Sequence, residues 1–266
     1  PCSLSITTQP DSRVLVTGIQ PSARFAARCG VGPGNECRGD RWGGQRSETR
    51  PSRGARGSLH RSCADGAFPV LRIDKLKVGG LPPLSFEVQP GECLGVEGPS
   101  GSGKTRLLRA IADLDAAEGY VYLDGAERGE LPAPRWRCQV RYVSAEPAWW
   151  AGTARAHMPA NARLDGMVTA LGLEPAILDQ PVTQLSTGER QRLGLVRAMA
   201  DEPAVLLLDE PTSALDAAAA ALVESLIRVA LRAGRIVVLV SHDPALLERL
   251  ATSRIVLGVR AVEPAR

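Results

Sequence analysis

With 266 residues, 44% of them hydrophobic, the chain is long and apolar enough to bury a substantial core as one large domain or two small ones. Its charge is unevenly placed: residues 1–66 hold ten Arg, no Lys and five acidic residues, a net of +5, so the remainder sums to about −2 against a chain total of +3. The basic balance therefore gives no nucleic-acid signature for the folded part. No apolar run approaches the roughly 18 to 20 residues that span a bilayer, so a membrane role has to come through a partner.

The first 66 residues are rich in Gly, Ser, Pro and Arg and show no sustained period of 2 or 3.6 beyond Arg13-Val14-Leu15-Val16. Such a stretch buries too little apolar area to offset its ordering entropy. Residues 1–67 are therefore expected to be disordered or a spurious N-terminal extension, and residues 68–266 to be the working domain. The leader also lacks the apolar core of a signal peptide. The first methionine is Met158, and the native protein is expected to begin near Phe68. Cys2, Cys29, Cys37 and Cys63 lack C-x-x-C spacing and suggest neither a zinc site nor a disulfide framework. Cys93 and Cys138 sit in apolar contexts and read as small core residues.

From residue 68 the pattern sharpens. Val70 to Lys77 and Leu84 to Val88 alternate apolar and polar residues around the turn Gly79-Gly80-Leu81-Pro82-Pro83, which predicts an edge-forming antiparallel pair. Glu92 to Val96 reads as a buried strand. Lys104 to Leu114 reads as a helix with Leu107, Leu108, Ile111 and Leu114 at helical spacing. Gly119 to Leu123 is a strand closed by Asp124-Gly125, Arg141 to Ser144 a short strand, and Leu164 to Leu178 a mainly helical stretch. Ala204 to Leu208 and Ile236 to Val240 are unbroken apolar runs, as in a parallel sheet covered on both faces. The segments after them, Ala214 to Leu231 and Pro244 to Leu250, have helical composition. Strand alternating with helix predicts an α/β core, and such cores bind ligands at strand C-terminal ends.

Between the buried strand and the first helix lies Gly98-Pro99-Ser100-Gly101-Ser102-Gly103-Lys104-Thr105, a full match to the phosphate-binding pattern G-x-x-x-x-G-K-[ST]. Its glycines let backbone N–H groups turn inward around a polyphosphate, and the helix N-terminus behind them adds partial positive charge. Lys104 is placed to reach the β- and γ-phosphates, and the Thr105 hydroxyl to ligate Mg²⁺. Asp209, at the end of the run Val205 to Leu208, supplies a second carboxylate-side contact to Mg²⁺. Its neighbour Glu210 is placed to polarise an attacking water as general base.

Over roughly residues 70–262 the chain resembles the nucleotide-binding subunit of ABC transporters. Leu185-Ser186-Thr187-Gly188-Glu189-Arg190-Gln191-Arg192 is similar to that family's signature L-S-G-G-Q-x-Q-R. Leu208 to Asp216 is similar to its second strand and D-loop, and His242 matches its switch histidine. The resemblance implies a P-loop NTPase of ABC type: an α/β fold with a parallel core sheet, an antiparallel β subdomain and a short helical subdomain. It implies ATP and Mg²⁺ as cofactors and hydrolysis assisted by Glu210 and His242. Ser186 and Gly188 then begin a helix that faces the γ-phosphate held by the opposite subunit. A homodimer or a paired second ATPase chain is implied, docked on a separate transmembrane permease at the inner face of the plasma membrane, with no nucleic acid.

Several positions depart from the family pattern. Thr187 replaces a signature glycine and Glu189 the glutamine. Ala145 stands where a metal-contacting glutamine is usual, leaving Glu146, Ser144 or weaker metal contact as alternatives. No aromatic residue lies between Val70 and Gly80 to stack on adenine, which leaves an aliphatic such as Val78. Trp149-Trp150 reads either as an interface anchor for the permease or as a pair buried under the helical subdomain. Pro134-Arg135-Trp136-Arg137, with the 146–150 loop, is similar to a small bacterial subgroup linked to metal, particularly iron, export. Two other functions stay open: a soluble ABC-type ATPase acting on ribosomes or DNA, and a non-catalytic nucleotide-binding module.

Overall fold

The computed structural model describes residues 6–7, 69–159 and 163–258; the expectations for the rest of the leader, its four cysteines included, lie outside the described residues. In chain order the elements are β1 (Ile6–Thr7), β2 (Leu71–Lys77), β3 (Leu84–Val88), β4 (Cys93–Glu97), α1 (Lys104–Ile111), β5 (Glu118–Leu123) and β6 (Ala126–Glu127). There follow α2 (Ala133–Gln139), β7 (Val140–Val143), α3 (Leu164–Ala170), α4 (Thr187–Ala200), β8 (Val205–Asp209), α5 (Ala217–Arg232), β9 (Ile236–Val240), α6 (Pro244–Leu250) and β10 (Ser253–Val256). They build two sheets, one ordered β1-β10-β4-β9-β8-β7 and one ordered β3-β2-β5-β6.

In the larger sheet β10, β4, β9, β8 and β7 run parallel, and the Ile6–Thr7 backbone pairs antiparallel with β10. Every residue of β8 and β9 is buried. The period of 2 nevertheless sorts their side chains. Leu206, Leu208, Val237 and Leu239 join α3, α4, α5 and α6 in one core, while Val205, Leu207, Ile236 and Val238 join α1 and the smaller sheet in the other. A sheet apolar on both faces has to be covered on both, and this places the strand C-terminal ends, where the polar residues stand, along one rim.

The smaller sheet is antiparallel throughout. Here the expectation of an edge-forming pair needs correction: β2 lies between β3 and β5, because the strand after α1 returns to pair with it. The β2–β5 register shifts between Asp74 and Lys77, and Gly119 makes the close approach possible. At φ +98° a Cβ there would lie 2.3 Å from the Lys75 carbonyl oxygen, a contact that only glycine avoids.

Two helices end earlier than the apolar spacing predicts. α1 stops at Ile111 because Asp113 turns left-handed (φ 59°), with Leu114 N–H bonded to Arg109 O and Asp113 N–H to Ala110 O. That pair of bonds is a Schellman closure. α3 ends at Ala170, ahead of the left-handed Gly172 (φ 69°), and Pro175 to Asp179 forms a separate 3₁₀ turn. β10 and α2 carry no clear sequence period and are visible only in the fold.

Gly194, in the buried middle of α4, touches the loop after β7: a Cβ there would lie 2.4 Å from Pro147 Cγ. Gly194→Ala is therefore expected to overpack this contact and to destabilise the chain by about 1–3 kcal/mol, read as a lowered denaturant midpoint with an unchanged m-value.

Candidate functional site

The phosphate loop leaves β4 at Gly98 and enters α1 at Lys104. Gly98 has φ +146°, and a Cβ on it would lie 2.6 Å from the Leu257 carbonyl oxygen, so the tight start of the loop requires glycine. Gly103, left-handed at φ 97°, caps α1 without a side chain. Lys104 is buried at 7% exposure, and its ammonium donates to Gly98 O (2.8 Å) and Pro99 O (3.0 Å). The Ser102 hydroxyl is buried without a hydrogen-bond partner. A fixed cation, an unpaired hydroxyl and a helix N-terminus on one curved loop suit a polyphosphate.

Three further strand ends meet this loop. Asp209, the last residue of β8, accepts from Thr105 Oγ1 (2.7 Å) and from the Tyr142 hydroxyl of β7 (3.1 Å) through the same oxygen, Oδ2. Burial pushes the Tyr142 phenol above its ordinary range, and the neighbouring Asp209 carboxylate adds to the shift, so Tyr142 remains a donor. The hydroxyl and carboxylate oxygens are hard donors of the kind Mg²⁺ takes. Among the described residues no group of three His, Cys, Asp or Glu side chains forms a metal cage of its own, so a divalent cation fits here together with phosphate oxygens.

Glu210 follows with a left-handed backbone (φ 50°). Its Oε2 accepts from the His242 backbone N–H (3.2 Å), while Oε1 is buried without a hydrogen-bond partner, 3.4 Å from His242 Nε2. Lys104, Thr105, Asp209, Glu210 and His242 line one cavity of about 270 Å³ with Ser100, Gly101 and Gly103. A wider cleft of about 420 Å³ adjoins it, walled by Pro99 to Gly103 and, opposite them, by Val78 to Leu81.

Ser186 and Gly188 line neither space. Ser186 caps α4 in a capping box: its Oγ accepts from Glu189 N–H, and Glu189 Oε2 accepts from both Ser186 N–H and Ser186 Oγ, each at 2.8 Å. These bonds, the backbone one first, hold the Glu189 carboxyl below its usual range. Gly188 lets the chain after β8 come close, since a Cβ would lie 3.2 Å from both Ala214 O and Leu215 Cδ2.

One residue of the signature stretch does more than the sequence reading assigned to it. Gln191, 2% exposed, donates from Nε2 to Glu210 O (2.8 Å), Ala145 O (3.3 Å) and Ser213 Oγ (3.3 Å), and its Oε1 accepts from Ala214 N–H (3.2 Å). In the sequence it stands only as the second glutamine of the signature pattern.

Neither Ser144 nor Glu146 lines the phosphate cavity, and the Ser144 hydroxyl is spent on the Glu146 carbonyl (2.7 Å). Ala145 presents its backbone oxygen to Gln191. The two tryptophans divide between the two readings. Trp149 packs against the helical core, whereas Trp150 is 78% exposed. Arg197 lies over both rings at 4.7 and 5.4 Å, and His157 meets both edge-on. Trp136 is fully buried, its indole N–H bonded to Ile111 O (2.9 Å), so it serves packing.

Parallel strands with a glycine-rich loop, a buried lysine and a carboxylate pair at one rim define a P-loop nucleotide-binding domain. The protein-family model for ABC transporters matches residues 81–213. The chain is 38% identical over 192 residues to the hemin import ATP-binding protein HmuV of Streptomyces coelicolor, covering 65% of this chain and 68% of that protein. It is 34% identical over 197 residues to the lipoprotein-releasing system ATP-binding protein LolD 2 of Caulobacter vibrioides, covering 65% and 85%. Protein STAR1 of rice is 36% identical over 180 residues, of which the match spans 52% of the rice protein and 63% of this chain. Among several such relatives the chain spans only about half to two thirds of their length. Solved structures agree in fold: an ATP-binding subunit of an ABC transporter (TM-score 0.64, 23% identity, 70% of this chain and 85% of that one), and an ATP-binding cassette dimer bound to ADP and Pi (TM-score 0.60, 24% identity, 70% and 96%). The chain belongs to the ABC transporter family, as an ATP-binding domain.

Because Gln191 holds the Glu210 backbone, Gln191→Ala is expected to lower stability by about 1–3 kcal/mol in denaturant titration, leaving buried backbone groups unpaired. It should lower turnover more than nucleotide affinity, since no phosphate-loop residue touches it.

Proposed function

We propose that the chain is the ATP-binding and ATP-hydrolysing subunit of an ABC transporter and energises a separate membrane permease through ATP-driven pairing of two ATPase domains. The observation that carries this reading is the cavity that unites Lys104, Thr105, Asp209, Glu210 and His242, with Glu210 Oε1 buried and unpaired beside His242. In this reading Lys104 exchanges the carbonyls of Gly98 and Pro99 for phosphate oxygens, while the N–H groups of Gly98 to Gly103 wrap the same anion. Thr105 and Asp209 hold Mg²⁺, which neutralises phosphate charge when bound. Glu210 takes a proton from a water that His242 orients against the γ-phosphate; the water oxygen bonds to phosphorus as the bond to the β,γ-bridging oxygen breaks, and ADP and phosphate leave.

The signature helix end is assigned to a second copy or a paired ATPase chain. In support, Ser186 and Gly188 lie off the cavity of their own chain, yet a helix N-terminus with glycine in its first turn suits an anion. The site would then be complete only across two chains. Among the described residues no helix is long and apolar enough to cross a membrane, so membrane work is assigned to a permease, with Trp150 and Arg197 as its anchor. The relatives' names carry different cargoes, hemin for one and lipoprotein for another, and single out none for this chain.

Lys104→Ala is expected to weaken ATP binding about 10- to 150-fold by equilibrium titration. Glu210→Gln should keep that affinity, lose about 10²–10⁴-fold in turnover, and accumulate as an ATP-bound dimer on size-exclusion chromatography; normal hydrolysis by this variant would remove Glu210 from the role of base. Trp150→Ala should leave ATP turnover of the isolated chain unchanged and reduce its retention by a co-expressed permease.

A further inference from the structure

The cleft beside the phosphate loop has room for the nucleoside end of a nucleotide but, among the described residues, no aromatic ring to hold it. Its described walls are Val, Leu, Pro, Ser and Gly, with one exception: Arg106 is the one described lining residue with a planar, delocalised group. Arg106 stands in the first turn of α1 and lines the phosphate cavity as well, so it occupies the junction between the two spaces. Its side chain crosses toward the β2–β3 turn, where a methyl group placed on Gly79 would lie 3.1 Å from Nη1. Among the described residues its guanidinium makes no hydrogen bond and no salt bridge; it acts on Asp115 through space only, and Asp115 is already bonded to Arg109. An exposed guanidinium laid across a cleft and unspent on the protein is available to a ligand.

Resting on the reading that this site takes a nucleoside triphosphate, we propose that Arg106 is its base platform: the guanidinium plane stacks on the purine ring, with Val78 and Leu81 contributing apolar contact. A guanidinium stacks on an aromatic face with both cation–π and dispersion attraction. Stacking uses the face of the base and leaves its edge unread, so adenine and guanine are held about equally. Edge recognition would differ, because a guanidinium donates in a fork that matches guanine O6 and N7 but meets a donor at the adenine amino group. Gly79 leaves room beside Nη1, to which a Cβ at that position would come within 3.1 Å.

The test is calorimetric titration of the full chain with Mg²⁺ and three ligands: non-hydrolysable analogues of ATP and GTP, and inorganic tripolyphosphate. Arg106→Ala should weaken both nucleotides by a similar factor, about 2- to 30-fold, and tripolyphosphate, which loses only the Arg106 charge, by a smaller one. Arg106→Trp should restore nucleotide affinity by supplying a neutral ring. Equal weakening of tripolyphosphate would make Arg106 a phosphate ligand and overturn the proposal; so would unchanged nucleotide affinity, or a loss confined to the GTP analogue. Lys104→Ala separates the two levels of inference, because it should weaken all three ligands. A parent chain that binds none of them overturns the nucleotide reading itself, and the base platform with it.

Discussion

A single buried amide, that of Gln191, holds the site's moving parts in one arrangement. It reaches from the signature helix to the carbonyl of Glu210, to the loop after β7 through Ala145 O, and to the chain after β8 through Ser213 and Ala214. In a low-dielectric interior, losing the amide leaves the Ala145 carbonyl and the Ala214 N–H without their partner at once, while Glu210 O keeps its bonds from Ser213. Glu210 needs such support. A non-glycine residue in the left-handed region costs on the order of 1–3 kcal/mol and persists only where its surroundings over-determine it. Here the Glu210 N–H is taken by Val240 O, its carbonyl by Gln191 and Ser213, and its Oε2 by the His242 N–H, so backbone and carboxylate are both held in place.

The same logic explains how so many polar groups coexist at one rim. Lys104 satisfies itself on two loop carbonyls, and Thr105, Tyr142 and Asp209 satisfy one another. These bonds are made by groups that suit a phosphate or a cation better, so they form a set of exchangeable partners rather than a permanent network. Glu210 Oε1 and Ser102 Oγ are the exceptions, buried with no partner in the protein. Desolvated polar atoms of this kind are costly unless something binds to them, which is why the cavity reads as a site and not as packing.

The signature helix end presents a different economy. Ser186 spends both its hydroxyl and its backbone N–H on Glu189, so the cap is internally complete while it faces away from the chain's own cavity. A carboxylate at that position competes with any arriving anion for the same donors. Glycine at 188 serves a second need, letting Ala214 and Leu215 approach the helix start, so a motif position that looks purely catalytic also carries a packing constraint.

Local sequence determined the elements whose physics is local. The glycine-lysine-threonine loop, the wholly apolar β8 and β9, and the α4 capping box each follow from periodicity, backbone freedom or a side-chain cap, and each is readable without a neighbour. The fold decided what depends on residues far apart in the chain. Interior placement of β2 came from its pairing with β5. Trp149 and Trp150, adjacent in sequence, went to core and solvent, although Arg197 of α4 lies over both rings. The roles of Gln191 and Arg106 were hidden for the same reason. A buried amide acquires its role from four partners brought together by tertiary contact, and an arginine acquires its from a cleft, and neither partners nor cleft exist until the strands have assembled.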